Sequence, residues 1–230
     1  MKFSRYSILV LGVCGLCLWL FFATANQLPA GEFNEVLSIG DPAPAWKDLP
    51  GTDGKTHSLS DLKEIPVVVV IFTCASCPTA VDYEARISAL KQQFAKESVA
   101  IVPICVNQVK QDQLESLSER VKQQKLAFHF LHDESQQIAK DYGAVFTPEF
   151  FVLNKDREVV YMGALDDATD VALVKQAYVA DAIQAALSGK DVSPAETIAR
   201  GCRVRYARER RKPKLPRDEI VLETGTIPSR

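Results

Sequence analysis

Two cysteines, Cys74 and Cys77, are the residues of this sequence whose type and spacing are best suited to chemistry. They follow a continuous apolar, β-branched run, Val67 to Phe72, which is typical of a strand buried on both faces. Pro78 and an amphipathic segment come next, and proline favours the first turn of a helix, where its missing N–H is not needed. We therefore expect the pair at a junction where a buried strand turns into a helix.

A thiolate at such a junction is stabilised, because a helix N-terminus favours negative charge and lowers a cysteine pKa from about 8.5 toward about 3.5–7.5. Thiolates are the species that attack disulfides and peroxides. A redox role is therefore the favoured interpretation. A structural disulfide or half of a zinc site would use the same spacing. Beyond the N-terminal apolar run, however, the sequence has no second C-x-x-C and no His pair at ligand spacing, so no metal is predicted.

The position of Pro78 bears on which cysteine attacks. If Pro78 is the first helical residue, Cys77 is the N-cap, and its sulfur faces the free N–H groups of the first turn. If Cys74 were the N-cap, Pro78 would stand at the fourth helical position and would delete a helix hydrogen bond. Local physics therefore favours Cys77 as the better-stabilised thiolate.

Length and composition limit the classes of protein. A chain of 230 residues fits one domain with tails and can bury a sizeable core. The formal net charge of −2 makes no case for nucleic acid as a partner. Six cysteines are too few for a disulfide scaffold, and Cys105, inside a predicted strand, is expected to be a buried free thiol.

Residues 1–25 are predicted to be a signal peptide or a membrane anchor. Lys2 and Arg5 precede an apolar run, and Ala23-Thr24-Ala25 provides a small-x-small cleavage pattern. The run of about 18 residues is also long enough to stay uncleaved in a membrane. In both cases the rest of the chain is exported to the periplasm or cell envelope, where an oxidised disulfide can persist.

The remaining chain is predicted to form one domain between two tails. Residues 26–39 are predicted to be a linker, residues 40–190 the domain, and residues 191–230 a basic C-terminal tail. A turn signal at 51–54 predicts a lead-in hairpin. Further strands are predicted at 67–72, 99–106, 126–132, 149–153 and 159–162, and helices at 80–94, 114–125, 135–142 and 170–187. This alternation is typical of an α/β fold, with a central mixed sheet and helices on both faces.

Three local features refine this outline. Pro103 removes a backbone donor, so the strand at 99–106 is predicted to lie at an edge or to carry a bulge. Asp170 is predicted to cap the last helix. The segment 200–217 has nine Lys or Arg residues against one acid, Glu209, which is typical of a solvated, poorly ordered tail.

Three stretches together resemble the AhpC/TSA-type redoxins. They are FTCASCP at 72–78, PAPAWKDLPGTDGKTHSLSDLK at 42–63, and HDESQQIAKDYGAVFTPEFFVLNKDREVVYMGALDD at 132–167. Members of this family have a thioredoxin-like fold and are related to the TlpA-type thiol-disulfide oxidoreductases and the peroxiredoxins. The resemblance covers about residues 40–190. It implies a redox-active C-x-x-C pair that exchanges disulfides with protein or small-molecule thiols, without a cofactor.

The resemblance also implies roles for residues outside the pair. Thr147-Pro148 matches the Thr-Pro of the family, in which the proline is cis and packs beside the active cysteines. Such a proline leaves the backbone of residues 145–147 free to pair with a substrate strand. Gly201-Cys202 matches a Gly-Cys found near the C-terminus of an exported subgroup, which makes Cys202 a candidate resolving thiol. The thioredoxin analogy favours Cys74, not Cys77, as the exposed attacker, so both are kept as catalytic.

The motif departs from both related families, and the exact reaction stays open. The thioredoxin motif W-C-G-P-C is absent, and Thr73 stands one residue too far from Cys77 for the peroxiredoxin pattern Thr-x-x-Cys-Pro. We expect a thiol-disulfide oxidoreductase. One alternative is a thiol peroxidase with antioxidant activity, in which Thr73 and Arg86 support the attacking cysteine. The other is a non-enzymatic protein in which Cys74, Cys77 and a histidine hold copper.

Overall fold

The computed structural model describes residues 31–207. Its strands are β1 (Leu49–Pro50), β2 (Thr56–His57), β3 (Val67–Phe72), β4 (Val99–Cys105), β5 (Leu131–His132), β6 (Phe146–Thr147), β7 (Glu149–Leu153), β8 (Val159–Gly163) and β9 (Cys202–Arg203). Its helices are α1 (Pro78–Gln93), α2 (Leu114–Gln124), α3 (Gln137–Asp141) and α4 (Tyr178–Leu187). Among these residues no helix is long and apolar enough to cross a membrane. The signal peptide or anchor expected at residues 1–25 lies outside the described residues.

One five-stranded sheet organises the domain, with the strand order β5-β4-β3-β7-β8. β3, β4 and β5 are parallel, and β7 runs antiparallel to both β3 and β8. Two short ladders lie outside this sheet, the lead-in hairpin β1–β2 and the pair β6–β9. The predicted alternation of strands and helices and the mixed central sheet are confirmed.

The central strand β3 is buried along its whole length, as its apolar sequence predicts. One face of the strand packs on a core shared with α1, α2 and α4, and the other on a core shared with α3. Phe72, at the end of the strand, meets Tyr142 and Phe151 edge to face, with ring centroids between 5.1 and 5.7 Å apart in this cluster. This packing on both sides fixes the end of β3, and Cys74 follows directly after it.

β4 is neither an edge strand of the sheet nor bulged, because it lies between β5 and β3 and pairs with β3 in unbroken register through Pro103. The carbonyl of Cys105 accepts a hydrogen bond from Asp133 on the β5 side, and Pro103, two residues earlier, faces the same side. β5 begins only at Leu131, opposite Ile104. The missing N–H of Pro103 therefore faces the stretch before β5 starts, and no ladder bond is lost.

The strand predicted at 126–132 is reduced to Leu131–His132. Its first part binds the lead-in hairpin instead of β4. Thr52 donates its amide to the carbonyl of Phe130 (2.9 Å), and the amide of Phe130 donates to the Thr52 hydroxyl (3.1 Å). The turn of the hairpin thus takes the backbone bonds that a longer β5 would have made.

The last helix begins at Tyr178, not at Asp170 as predicted. Asp170 does act as a cap, but of a single 3-10 turn, Val171–Leu173. Asp167 explains the interruption, because it holds Gln176 by two hydrogen bonds, from its own amide to the Gln176 carbonyl (3.1 Å) and from the Gln176 amide to its carboxylate (3.2 Å). Such local bonds compete with a helix and delay its start.

The C-terminal segment differs most from the prediction. Residues 191–230 are predicted to be a tail, solvated over the basic stretch 200–217, but residues 191–207 pack along the domain. The amide of Met162 donates to Ala195 (3.0 Å), its carbonyl accepts from Thr197 (3.1 Å), and β9 pairs with β6. Val204 is buried while the arginines at alternate positions are exposed. Despite its high charge, this segment therefore alternates between inward-facing and exposed residues, as a β-strand does.

Replacing Phe151 by alanine should test the aromatic cluster behind the site. Because Phe151 is fully buried, we expect Phe151→Ala to lower the free energy of unfolding by about 3–5 kcal/mol, from lost burial and the cavity left behind. Phe33→Ala is the matched control, because Phe33 is 45% exposed. Denaturant titration followed by circular dichroism measures both. Equal losses in the two variants would contradict this account of the core.

Candidate active site

Cys77 is the N-cap of α1, as the position of Pro78 predicts. The helix begins at Pro78, and Cys77 has the extended backbone of a capping residue, with φ −100° and ψ 118°. Its sulfur accepts a hydrogen bond from the amide of Ala80 at 3.4 Å. The side chain thereby satisfies one of the N–H groups that a helix leaves free in its first turn.

Thr147 joins the cysteine pair to the loop before β7. Its carbonyl oxygen lies 3.2 Å from the sulfur of Cys77, and its hydroxyl oxygen lies 3.4 Å from the sulfur of Cys74. The Thr147-Pro148 bond is cis, as the resemblance implies. Glu149 stabilises this loop, because its carboxylate accepts hydrogen bonds from the amides of Val145 (2.8 Å) and Phe146 (2.9 Å). Since β3 and β7 are neighbours in the sheet, the loop after one strand and the loop before the other meet here.

Asp112 is a site residue that the sequence did not reveal. It is fully buried beneath the C-x-x-C turn. Its carboxylate accepts four hydrogen bonds, from the amides of Ala75 (2.8 Å) and Ser76 (2.9 Å), the Ser76 hydroxyl (2.5 Å) and the Asn107 side chain (3.0 Å). The one available signal is position, since Asn107 and Asp112 follow β4, and β4 ends beside the end of β3. These bonds fix the backbone between the two cysteines.

The two sulfurs of the pair are electrostatically unequal. Burial raises the pKa of Cys77, but hydrogen bonds to its sulfur from the Cys202 side chain and the Ala80 amide outweigh burial, so the pKa lies below its ordinary value. Burial raises the pKa of Cys74, and the negative charge of Asp112 adds to this. The geometry therefore favours Cys77 as the thiolate and Cys74 as the thiol.

The edge of β6 is not free to receive a substrate strand, in contrast to the expectation from the resemblance. β9 pairs with it antiparallel, so that Arg203 stands opposite Phe146 and Cys202 opposite Thr147. Gly201 permits this close approach, because a Cβ at that position would lie 2.0 Å from the Thr147 carbonyl oxygen. The structure thus brings Cys202 to the cysteine pair.

The two residues expected to support a peroxidase are placed differently. Thr73 is buried at the end of β3, and its amide donates to the Ile104 carbonyl at 3.0 Å. Arg86 forms an ion pair with Asp166 and lies over the Tyr83 ring, 4.3 Å from its centroid. It stands nine residues along α1 from the cap, about 13 Å along the axis. The structure does not bring its guanidinium to the sulfurs.

Histidines contribute no further ligand to the cysteine pair in the part of the chain that is described. His57 bonds to Asp53, with Nε2 3.0 Å from the carboxylate, and His132 is buried in β5. Within residues 31–207, no group of three or more His, Cys, Asp or Glu side chains is arranged to hold a metal ion. The copper-binding alternative therefore has no ligand set among these residues.

Comparison with protein families gives one match over most of the domain. The family model for redoxins matches residues 38–178, which is more than half of the chain. The chain belongs to the redoxin family. A search of curated proteins gives no significant match.

Solved structures share the fold of this domain. A hypothetical protein of Sinorhizobium meliloti 1021 is 30% identical, with a TM-score of 0.70 over 76% of this chain and 97% of that one. An uncharacterized conserved protein of Geobacillus kaustophilus is 27% identical, with a TM-score of 0.71 over 77% and 96% of the two chains. A thiol:disulfide interchange protein of the thioredoxin family from Chlorobium tepidum is 19% identical, with a TM-score of 0.52 over 65% and 98%, and shows the shared fold. This redoxin therefore has a thioredoxin-like fold.

Neutralising Asp112 should make Cys74 more acidic. The Asp112 carboxylate disfavours a second negative charge on Cys74, so Asp112→Asn should lower the Cys74 pKa and move its half-maximal alkylation rate to lower pH. The rate is measured with a small alkylating reagent across a pH series on reduced protein, with the Cys74 peptide identified by mass. Asp82→Asn removes a charge from an exposed position of α1 and should leave the Cys74 profile unchanged. A profile that moves to higher pH in Asp112→Asn would contradict the assigned cause.

Proposed function

We propose that this redoxin is a thiol-disulfide oxidoreductase whose reactive centre is the pair Cys74 and Cys77. Membership of the redoxin family and the thioredoxin-like fold support a redox function without specifying the reaction. The observation that carries the finer proposal is the inequality of the two sulfurs. Cys77 caps a helix and is held as the more acidic thiol, while Cys74 is kept protonated beside it. Disulfide exchange requires one thiolate that attacks the substrate and a second thiol that resolves the mixed disulfide.

The exchange proceeds in two balanced steps. The Cys77 thiolate attacks one sulfur of a disulfide presented to it, so that a mixed disulfide forms and the other sulfur leaves as a thiolate. Cys74 then gives up its proton and attacks the Cys77 sulfur. The Cys74–Cys77 disulfide forms, and the second substrate sulfur leaves. The substrate disulfide gains two electrons from the pair and one proton from Cys74, and the other product thiolate takes its proton from solvent. The reverse sequence oxidises thiols.

Three further residues would position the pair. Thr147 contacts both sulfurs and so limits their separation and orientation. Pro148 follows it and, having no N–H, offers no donor to compete for the thiolate. Asp112 holds the turn between the cysteines by accepting the amides of Ala75 and Ser76. None of the three needs to change its covalent state during the exchange.

An equilibrium titration tests the proposal directly. Cys202→Ser protein is equilibrated across a glutathione redox series, alkylated and weighed. We expect two thiols to be lost together in one transition and peptide mapping to find Cys74 linked to Cys77. The same titration of Cys77→Ser in that background should show no transition. A stable link from either cysteine to Cys105 would overturn the proposal.

We also propose that the protein is exported by residues 1–25. The charged start, the apolar run and Ala23-Thr24-Ala25 support this. N-terminal sequencing of the native protein should begin at Asn26. An intact Met1 in the membrane fraction would indicate that the segment stays as an anchor. An intact Met1 in the soluble cytoplasmic fraction would contradict export.

A further inference from the structure

The C-terminal segment binds at the site in the manner of an extended peptide. Besides the β6–β9 register, the amide of Val204 donates to the Val145 carbonyl (2.9 Å), and the Thr147 hydroxyl donates to the Cys202 carbonyl (3.3 Å). The backbone edge beside Pro148 is therefore fully used by this chain's own residues. A substrate strand could pair there only after β9 had left.

Buried polar side chains hold the segment in place after β9. The side chain of Asn107 accepts a hydrogen bond from the amide of Arg205 (3.0 Å). The side chain of Gln136 donates a hydrogen bond to the Arg205 carbonyl (3.0 Å) and accepts one from the amide of Ala207 (2.7 Å). Asn107 and Gln136 are 2% and 1% exposed with the segment in place, so its departure would break these hydrogen bonds and uncover both side chains. The segment is thus a built part of the site.

The three sulfurs differ in their access to solvent. Cys74 and Cys77 are each only 1% exposed. Cys202 is partly exposed, and the β6–β9 pairing sets it opposite Thr147, whose carbonyl oxygen lies 3.2 Å from the sulfur of Cys77. Thr147 contacts all three cysteines. With β9 in place, Cys202 is the sulfur of this site that an outside molecule can reach.

We propose that Cys202 is a third redox cysteine of this site, through which low-molecular-mass thiols and disulfides exchange with the buried pair. The inference rests on the proposed function of Cys74 and Cys77. The substrate class follows from β9, which fills the strand edge that a protein substrate would need. A small disulfide needs only the exposed sulfur of Cys202.

The relay balances at each step. The Cys202 thiol loses a proton and attacks a small disulfide, which leaves a mixed disulfide on Cys202 and releases one small thiol. The Cys77 thiolate attacks the Cys202 sulfur, so the Cys77–Cys202 disulfide forms and the second small thiol leaves. Cys74 loses its proton and attacks Cys77, and Cys202 leaves and regains a proton. The small disulfide has gained two electrons from the pair and one proton from Cys74, and the second proton comes from solvent.

The pKa difference between Cys77 and Cys202 favours reduction of the site by small thiols, the reverse of the relay described above. The hydrogen bond to Cys77, burial, and the charges of Cys77 and Cys74 raise the pKa of Cys202 to about 11, while that of Cys77 lies below its ordinary value. A thiol of lower pKa is the better leaving group. An outside thiolate that attacks Cys202 in a Cys77–Cys202 disulfide expels Cys77, whose leaving thiolate is stabilised by the amide of Ala80 at the start of α1. We expect reduction of the site by small thiols to be faster than its oxidation.

Kinetics of oxidation test the role of Cys202. Reduced protein is mixed with oxidised glutathione, quenched with acid at intervals and mapped for the Cys74–Cys77 disulfide. Cys202→Ser should slow its formation about tenfold or more, because the accessible sulfur is gone. Cys105→Ser, a matched change at a buried cysteine outside the relay, should not change the rate.

An unchanged rate in Cys202→Ser overturns the inference and leaves the proposed function intact, because the pair still forms. Failure of the pair to form in the equilibrium titration overturns both.

Trapping distinguishes a redox role from a structural one. Cys77→Ser protein mixed with oxidised glutathione should carry glutathione on Cys202, because the next sulfur of the relay is missing. Cys74→Ser protein should instead accumulate a Cys77–Cys202 disulfide. Glutathione found on Cys74 in the first variant, or on Cys77 with free Cys202 in the second, would overturn the relay.

Displacing β9 tests the substrate class. Gly201→Ala places a carbon against the Thr147 carbonyl, so β9 should lift from β6. In the Cys74→Ser background this change should lower the yield of the Cys77–Cys202 disulfide, and in the otherwise unchanged protein it should speed reduction of an extended peptide disulfide. Gly54→Ala is the control, since it strains a positive φ of 79° with no atom within 4 Å of the new carbon. Equal behaviour of the two variants would overturn the assignment of β9 as the barrier to peptides.

Discussion

The contacts of Thr147 with the cysteines are the constraint on which the candidate site depends. They exist because β7 lies beside β3 in the sheet, so the loop before one strand reaches the loop after the other. A single threonine then offers a carbonyl to Cys77, a hydroxyl to Cys74 and a hydrogen bond to the backbone of Cys202. A shift of β7 relative to β3 would move Thr147 and Cys202 away from the cysteine pair. The buried aromatic cluster behind Phe72 opposes such a shift.

The second determinant is a buried negative charge. Asp112 has no exposure to solvent, and such a charge is tolerated only when it is fully hydrogen-bonded. Its four donors all belong to the C-x-x-C turn or to Asn107, so the turn that holds the cysteines also satisfies the carboxylate. The same charge opposes ionisation of Cys74 while the helix cap favours it at Cys77. One arrangement thus sets both the shape of the turn and the difference between the sulfurs.

The sequence predicts the parts of this molecule that depend on neighbouring residues. The apolar run of β3 and the position of Pro78 were enough to place Cys77 at the start of α1, and the resemblance supplied Thr147 and Pro148. Asp112 could not be found in this way. It follows β4 but contacts the turn after the neighbouring strand β3, and the polar residues around it in the sequence form no motif. β9 was missed because arginines dominate its composition. The inward-facing positions of residues 202–204, half-buried Cys202 and buried Val204, become visible only when every second residue is considered.

Asn107 connects the two halves of the site, since it donates to Asp112 and accepts from Arg205. The match to the redoxin family ends at residue 178, well before this contact. A fragment cut at that point would lack α4 and would leave the edge of β6 unpaired, next to buried amide groups without partners. Unpaired edges of this kind associate with other chains. The boundary of the family match therefore falls inside the set of residues that are hydrogen-bonded to one another in this domain.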